Sequence, residues 1–405
     1  MRVLWFSVTP SLYEEKKYGG WIASLERIIN KYGADIELGI AFEYETTKVK
    51  VNKHGTTYYP FYVGNSITSR LLEKVDCNYK WRMIKNKLLS IIEDFKPDII
   101  QCFGSEWPYG LITEDINIPV IIHMQGFLNI YNESSNMVIS KKQYLKYSRY
   151  NPKIVFTELT NSHKEAEHLK REQHIMDINR YFIGRTQWDK NIVKFYSPHS
   201  KYFYCAEALR PEIYYSSYCW ESNHKNILIT ISQAGVLKGN EIILKTAKIL
   251  KEQFNFEFEW RVAGNKEALT IAERKLGIRH EDYNIKLLGM IDVNGVAREL
   301  ASATIYIHPA IIDNSPNSLC EAQVIGCPII AANVGGISSL VDDEKTGVLY
   351  PYNEPHTLAF KIMDLCCDNE KRKFLSNNEI LMAKKRHNPE IIYQTLSKIY
   401  RDIID

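Results

Sequence analysis

No stretch of this 405-residue sequence approaches the ~20 consecutive apolar residues that a membrane-spanning helix needs. The opening MRVLWFSVTP is apolar but too short for a signal sequence, and Glu14, Glu15, Lys16 and Lys17 follow at once. Charge of one sign is also scarce. A net charge of +3 argues against a dedicated nucleic-acid binder, which concentrates many more Lys and Arg. The eight cysteines contain no CxxC pair and no Cys/His group at zinc spacing, so neither a zinc module nor a disulfide framework is indicated. Reaction motifs are missing too: there is no GxSxG elbow, no GxxxxGK[ST] loop, no GxGxxG after the first strand and no evident metal-binding DxD pair. These absences leave a soluble, cytoplasmic protein with reduced thiols, at most peripheral to a membrane.

What is present is alternation. Strand-like runs at 2–6, 35–41, 48–51, 98–103, 119–124 and 181–184 are interleaved with helical patterns such as 21–30, 81–95 and 161–171. The stretch 197–225, rich in Tyr, Ser and Pro, reads as a connection. A second series follows, with strands at 226–232, 258–263, 285–288, 304–308, 328–332 and 348–350, and helices at 239–253, 266–276, 293–302 and 317–325. Three helical stretches end the chain. Strands alternating with helices predict parallel sheets covered on both faces, with ligands at the carboxyl ends of the strands. The expected fold is α/β, two doubly wound Rossmann-like domains facing a central cleft. The expected boundaries are 1–205, 206–388 and a final helix, 389–405, that packs back on the N-terminal domain.

The segment from Ile307 to Gly336, IHPAIIDNSPNSLCEAQVIGCPIIAANVGG, carries the strongest chemistry. A buried strand ends at His308-Pro309, and a loop carries Asp313-Asn314-Ser315-Pro316. Ser315 is a good N-cap and Pro316 a good first helical residue. The N–H groups of such a helix start, from Asn317, Ser318 and Leu319, suit a phosphate or a sugar hydroxyl. Glu321, in the second turn, can accept hydrogen bonds from a ribose or sugar. A capping motif with surface acids explains the same residues about as well. In ISQAGVLKGNEIILKTAKIL, from Ile231, Lys238-Gly239 opens a helix and can hold a diphosphate. In isolation a solvent lysine would do as well there.

Together these segments resemble the donor-binding motifs of glycosyltransferase family 4, the glycogen-synthase-like group with the GT-B fold. That family carries two acids separated by seven residues, followed by Ala and a Gly-Gly turn. Here Asp313 stands where the family usually has Glu, Glu321 is the second acid, and Gly335-Gly336 is the turn. The resemblance implies that Asp313 faces the donor sugar and Glu321 binds the nucleotide ribose. It implies that Lys238 and position 233, where Gln233 replaces the family's Arg, meet the diphosphate. Gly264 would lie beside the base. Gly20, of the pair Gly19-Gly20, would lie near the donor phosphates. Gln125 takes the place of the family's His near the reacting sugar. His123, two residues upstream inside the strand, reads as a hydrogen-bonded core residue.

On the acceptor side, Glu106 and Arg185 follow the ends of buried strands, with Asp189 a structural partner for Arg185. The resemblance implies a retaining transfer from a nucleotide-sugar to a hydroxyl of a saccharide or lipid-linked saccharide, in surface polysaccharide or glycoconjugate synthesis. No metal or other cofactor is expected beyond the donor. A same-fold nucleotide-sugar epimerase and a non-catalytic nucleotide-sugar-binding protein are the alternatives. Lys141, Lys142, Lys146 and Arg149 form a basic face that reads as plain solvated surface or as a peripheral membrane contact.

Overall fold

The computed structural model describes residues 1–14, 20–46, 49–64, 72, 76, 78–222, 225–231 and 235–405, with the side chains of 159–164 set aside. The chain forms two compact units. The first comprises Met1–Asn129, Phe156–Ala208 and Asn388–Asp405; the second comprises Ile130–Val155 and Leu209–His387.

The first unit is built on a sheet of β1 (Arg2–Ser7), β2 (Glu37–Glu43), β3 (Val51–Lys53), β4 (Thr56–Phe61), β5 (Ile99–Phe103), β6 (Val120–His123), β7 (Tyr181–Gly184) and β8 (Lys201–Tyr204). Among the described residues its order is β3-β4-β2-β1-β5-β6-β7-β8, parallel throughout except for the antiparallel β3–β4 edge. A central parallel strand is buried on both faces, which is why β1 reads as the continuous apolar run VLWF. The sheet is wider than the sequence pattern suggests. The strand β4, TTYYPF, contains Pro60, and β8 lies inside the aromatic stretch that reads as a connection.

Helices of the first half of the chain are α1 (Trp21–Tyr32), α2 (Tyr79–Phe95), α3 (Leu128–Val138), α4 (Lys141–Tyr147), α5 (Pro152–Ile178) and α6 (Gln187–Tyr196). By sequence position, 130–155 falls in the N-terminal half; in space it belongs to the second unit. There Lys275 Nζ donates to Val138 O at 2.7 Å and Arg274 Nη1 to Tyr147 O at 2.9 Å.

The second unit continues with α7 (Pro211–Tyr214), β9 (Ile227–Ile231), α8 (Asn240–Glu252), β10 (Glu259–Ala263), α9 (Glu267–Leu276), β11 (Ile285–Gly289), α10 (Val293–Ser302), β12 (Ile305–His308), α11 (Asn317–Ile325), β13 (Ile329–Ala332), β14 (Val348–Tyr350), α12 (Pro355–Cys367) and α13 (Asn369–Arg386). Its parallel sheet runs β11-β10-β9-β12-β13-β14. The reversal of strand order between β9 and β12 makes a crevice at their carboxyl ends. Two apolar clusters cover the two faces, one around Trp260 and Leu244, the other around Tyr306, Leu319 and Ile329. Residues read as a connection enter this core: Trp220 is 9% exposed, and its Nε1 donates to Ala303 O at 2.7 Å.

The last helix, α14 (Pro389–Ile404), belongs to the first unit. Asn388 caps it by accepting from the N–H groups of Glu390 and Ile391. Ile392, Leu396, Ile399 and Ile403 form its apolar stripe, and Tyr400 Oη links Trp5 Nε1 (3.1 Å) to Gln101 Oε1 (2.6 Å). Among the described residues no helix is long and apolar enough to cross a membrane.

Candidate functional site

The carboxyl ends of the second unit's strands gather the polar residues. After β12 the chain runs through Pro309 and Ala310 to Asp313, then turns into α11. Two glycines press on this loop. Gly239, at φ +76°, lies where an added Cβ would stand 1.9 Å from Pro309 O. Gly335, at φ +52°, lies where a Cβ would stand 2.0 Å from Asp313 O. Only glycine combines that backbone region with that approach. The Gly336 N–H donates to Asp313 O at 2.9 Å and the Ile311 N–H to Leu237 O at 2.8 Å, so the loop is held from both sides. The Lys238-Gly239 and Gly335-Gly336 pairs therefore act on the conformation of the acid-bearing loop.

Asp313 is 8% exposed and carries a charge that burial alone would disfavour. Lys238 Nζ lies 2.7 Å from its Oδ2, and His308 Nε2 lies 3.3 Å from the same oxygen. The Asn314 N–H donates to Oδ1 at 3.2 Å. Burial pushes this carboxyl up, but the Lys238 ammonium and His308 outweigh it and hold Asp313 well below the usual carboxylate range.

The helix start differs from the expectation. Pro316, at φ −72° and ψ 123°, occupies the cap position in place of Ser315, and among the described residues it offers α11 no side-chain cap hydrogen bond. Because proline cannot donate, Asn317 and Ser318 supply the leading N–H groups, with the positive end of the helix dipole behind them. The N–H of Leu319 bonds to Pro316 O at 3.1 Å, and its side chain is fully buried in the apolar core. Asn314 and Ser315 are buried in the loop.

Glu321 is 3% exposed and is gripped by Arg210, which sequence reasoning missed. Arg210 Nε donates to Oε1 and Nη2 to Oε2, both at 2.7 Å, a bidentate fork across 111 sequence positions. Arg210 stands just before α7, and nothing local marks it as a partner.

Beside this loop a pocket of about 310 Å³ opens at the ends of β10 and β11. Asn240, Gly264, Asn265, Lys266, Leu269 and Leu288 line it. Gly264, at φ +131°, donates its N–H to Gly289 O at 2.8 Å, which shapes the floor. A lining that mixes apolar side chains such as Leu269 and Leu288 with polar ones such as Asn240 and Asn265 suits a flat heteroaromatic ring. Gln233 lies outside the described residues, as does Gly19.

The other candidates lie in the first unit. Gly20 caps α1 at φ −78°, ψ 178°, with open space around it, so its conformation does not demand glycine. The Arg185 guanidinium is 6% exposed and is tied to Glu207 (3.2 Å) and the carbonyls of Met124 (3.1 Å) and Gln125 (3.3 Å). It also lies 5.0 Å from the centre of the Trp21 ring. The guanidinium's acidic partner is thus Glu207, while Asp189 accepts the Arg185 backbone N–H at 2.9 Å and closes a capping box with Thr186 at the start of α6. This is a structural tie, not an exposed phosphate ligand. Glu106 folds over Gly104, and its buried Oε2 has no hydrogen-bond partner among the described residues. Burial, helped by the charge of Glu172, pushes its carboxyl up to about 7. His123 is 1% exposed beside Gln101 (3.3 Å); burial and the Arg185 charge hold it well below its usual range, as a neutral core histidine. Among the described residues no three His, Cys, Asp or Glu side chains converge as a metal site.

Residues 220–382 match the family described as glycosyl transferases group 1. A D-inositol 3-phosphate glycosyltransferase of Corynebacterium kroppenstedtii is 25% identical over 190 residues, covering 45% of this chain and 41% of the relative. The amylovoran biosynthesis glycosyltransferase AmsK of Erwinia amylovora is 22% identical over 218 residues, covering 51% and 53%. The chain thus spans about half the length of these curated relatives. Among solved structures, a sucrose-phosphate synthase from Thermosynechococcus elongatus superposes with a TM-score of 0.75 at 13% identity, over 99% of this chain and 98% of the other. The Anabaena protein HepE, solved in complex with UDP and glucose, superposes with a TM-score of 0.68 at 14% identity, over 99% and 100%. At these identities the likeness concerns the fold.

Proposed function

We propose that this protein transfers a sugar from a nucleotide-sugar donor held by its second unit, since residues 220–382 match the group 1 glycosyl transferases and the chain has the GT-B fold. The observation that carries the reading is Lys238 paired with Asp313 at the uncapped start of α11, beside the pocket at Gly264. In this reading the base enters the pocket between Gly264 and Leu269. The diphosphate lies against Lys238 and the Asn317 and Ser318 N–H groups. The Glu321 carboxylate, oriented by Arg210, faces the ribose, and Asp313 faces the sugar. A HepE structure holding UDP and glucose supports such a ligand for this fold.

Lys238 and the helix dipole stabilise the negative charge that builds on the leaving diphosphate, which is the main electrostatic demand of glycosyl transfer. The positive potential comes from the chain, and the reading calls for no resident metal. We assign the acceptor to the first unit, where Gln125 and the near-neutral Glu106 carboxyl can bond a hydroxyl. Transfer is proposed to retain the anomeric configuration. We also propose a saccharide or lipid-linked saccharide acceptor and a role in surface polysaccharide synthesis; the likeness to AmsK, named for amylovoran biosynthesis, favours such a pathway. We further place the protein in the cytoplasm.

Titration calorimetry with UDP, GDP and ADP tests the donor site: one of them binds, and Lys238→Ala weakens that binding roughly 10- to 100-fold, the worth of one charge-assisted hydrogen bond. Binding of none of the three overturns the reading. A nucleotide-release assay across donor sugars then separates transferase from epimerase and from binding protein.

A further inference from the structure

An asparagine in a pocket can offer a ligand either a donor or an acceptor, and its other bonds decide which. Two asparagines line the pocket beside Gly264, and each has one end engaged. Asn265 Oδ1 accepts from the Glu267 N–H at 2.8 Å, an Asx turn that opens α9. The end left to a ligand is Nδ2, which can only donate. Asn240 is bound the other way round. Its Nδ2 donates to Gly235 O at 3.3 Å, so the end left is Oδ1, which can only accept. Asn240 lies in the first turn of α8 and is 7% exposed, which makes that acceptor a buried one. Lys266 adds a third group, an exposed ammonium on the lining that has no hydrogen-bond or ion-pair partner among the described residues. These side chains thus offer two donors and one acceptor. Another lining acceptor, Gly289 O, is already engaged by the Gly264 N–H at 2.8 Å, and the described lining residues include no carboxylate. Leu269 and Leu288 supply apolar faces. Leu288 is an extra residue in β11: Val262 pairs with Leu287 and Ala263 with Gly289, a bulge that takes Leu288 out of the ladder at the pocket.

A base held between those faces must carry the reverse set. Uracil does: O2 and O4 accept and N3–H donates. Cytosine matches in number, with O2 and N3 accepting and the 4-amino group donating. Guanine carries the opposite balance on its pairing edge, where O6 accepts while N1–H and the 2-amino group both donate. One of its donors is then left unpaired or set against the Lys266 ammonium. Adenine presents one acceptor, N1, beside its 6-amino group, so one of the two protein donors goes without a partner. We propose that Asn240 and Asn265 read the base at the donor site, and that with Lys266 they select a pyrimidine nucleoside diphosphate over a purine one. This assignment rests on the donor reading above and adds the class of the base to it. The selectivity comes from unpaired polar groups, because a donor or acceptor removed from water without a partner loses the bond that water gave it.

Calorimetry on the full chain with UDP, CDP, GDP and ADP tests the selection. The tighter of UDP and CDP should bind about 10-fold or more tightly than either purine nucleotide, the worth of one unpaired group. GDP or ADP binding as tightly as the better pyrimidine nucleotide overturns the proposal and leaves the donor reading standing. Binding of none of the four overturns both. Asn265→Asp then isolates the residue. It keeps an oxygen for the Glu267 N–H, so α9 still starts as before, and it replaces the amide donor with a second acceptor. Its added charge repels every diphosphate alike, so the ratio between nucleotides is the quantity to read. The preference for the pyrimidine nucleotide over GDP should shrink by about 10-fold or more. An unchanged ratio overturns the role of Asn265. Lys266→Met, at an exposed position, removes a donor without adding an acceptor. It should weaken the pyrimidine nucleotide more than GDP; equal weakening of both overturns the donor count on which the selection is built.

Discussion

The Arg210–Glu321 pair allows the sharpest calculation. Arg210→Ala would leave a carboxylate whose side chain is 4% exposed without its bidentate partner. Breaking a buried pair by removing one member costs about 3–5 kcal/mol, because the remaining charge is stranded. Arg210 itself is 21% exposed, so water reaches the vacated space and the expected cost falls to about 2–4 kcal/mol. At roughly 2–4 °C per kcal/mol for a unit of this size, melting of the second unit should drop by roughly 4–16 °C. Calorimetry measures this, with Trp220 fluorescence as a local reporter, since the Trp220 N–H bonds to Ile325 O at the end of α11. Glu321→Gln and the double variant complete a cycle with an expected coupling of about 2 kcal/mol. The paired replacement Arg210→Met with Glu321→Met should lie near the parent, since it removes both charges together. A loss below 1 kcal/mol for Arg210→Ala, or strict additivity in the cycle, would refute the account of Arg210 as the group that holds Glu321.

Glu379 is fully buried with no hydrogen-bond partner at either carboxyl oxygen among the described residues, and burial holds its carboxyl well above the usual range. The neutral acid is the folded form, so its contribution is complete below the unfolded value near ~4.3 and is lost as pH rises. Glu379→Gln should therefore match the parent in urea unfolding at pH 4 and exceed it at pH 8; a gap independent of pH would contradict this. Gly239→Ala and Gly335→Ala should each cost clearly more than Gly277→Ala. Gly277 shares the positive φ at +68° but has nothing within 4 Å of an added Cβ, so it reports the backbone cost alone, about 1–2 kcal/mol. Equal losses at all three positions would show that the loop is not clamped. Tyr400→Phe strands Trp5 Nε1 and Gln101 Oε1 in the core of the first unit and should cost about 1–3 kcal/mol in chemical denaturation; an unchanged midpoint would mean the network contributes nothing.

The sheet-and-helix alternation was legible because it rests on local periodicity: continuous apolar strands such as ILITI and IYIH, and amphipathic helices between them. What escaped notice lacked that signal. The strand β4 carries a proline, and β8 is an edge strand in an aromatic stretch, so neither shows a clean pattern. The cap of α11 was misplaced by one residue because Ser315 and Pro316 both favour a helix start, and backbone geometry chose between them. Asp189, four positions on, meets only the Arg185 backbone N–H; the partner of the guanidinium, Glu207, lies 22 positions away, beyond reach of spacing rules.

The sequence by itself determined the fold class and the loop-and-helix segment from Asp313 to Glu321, since strand period, helix period and turn chemistry are properties of neighbouring residues. Only the tertiary structure decided what each acid meets: Lys238 and His308 at Asp313, and Arg210 at Glu321. It also explained the glycines, whose need comes from a carbonyl of another segment standing within 2.0 Å of where a Cβ would be. Charge pairing and close backbone approach depend on distance in space, and folding brings together residues that the chain keeps 75 and 111 positions apart.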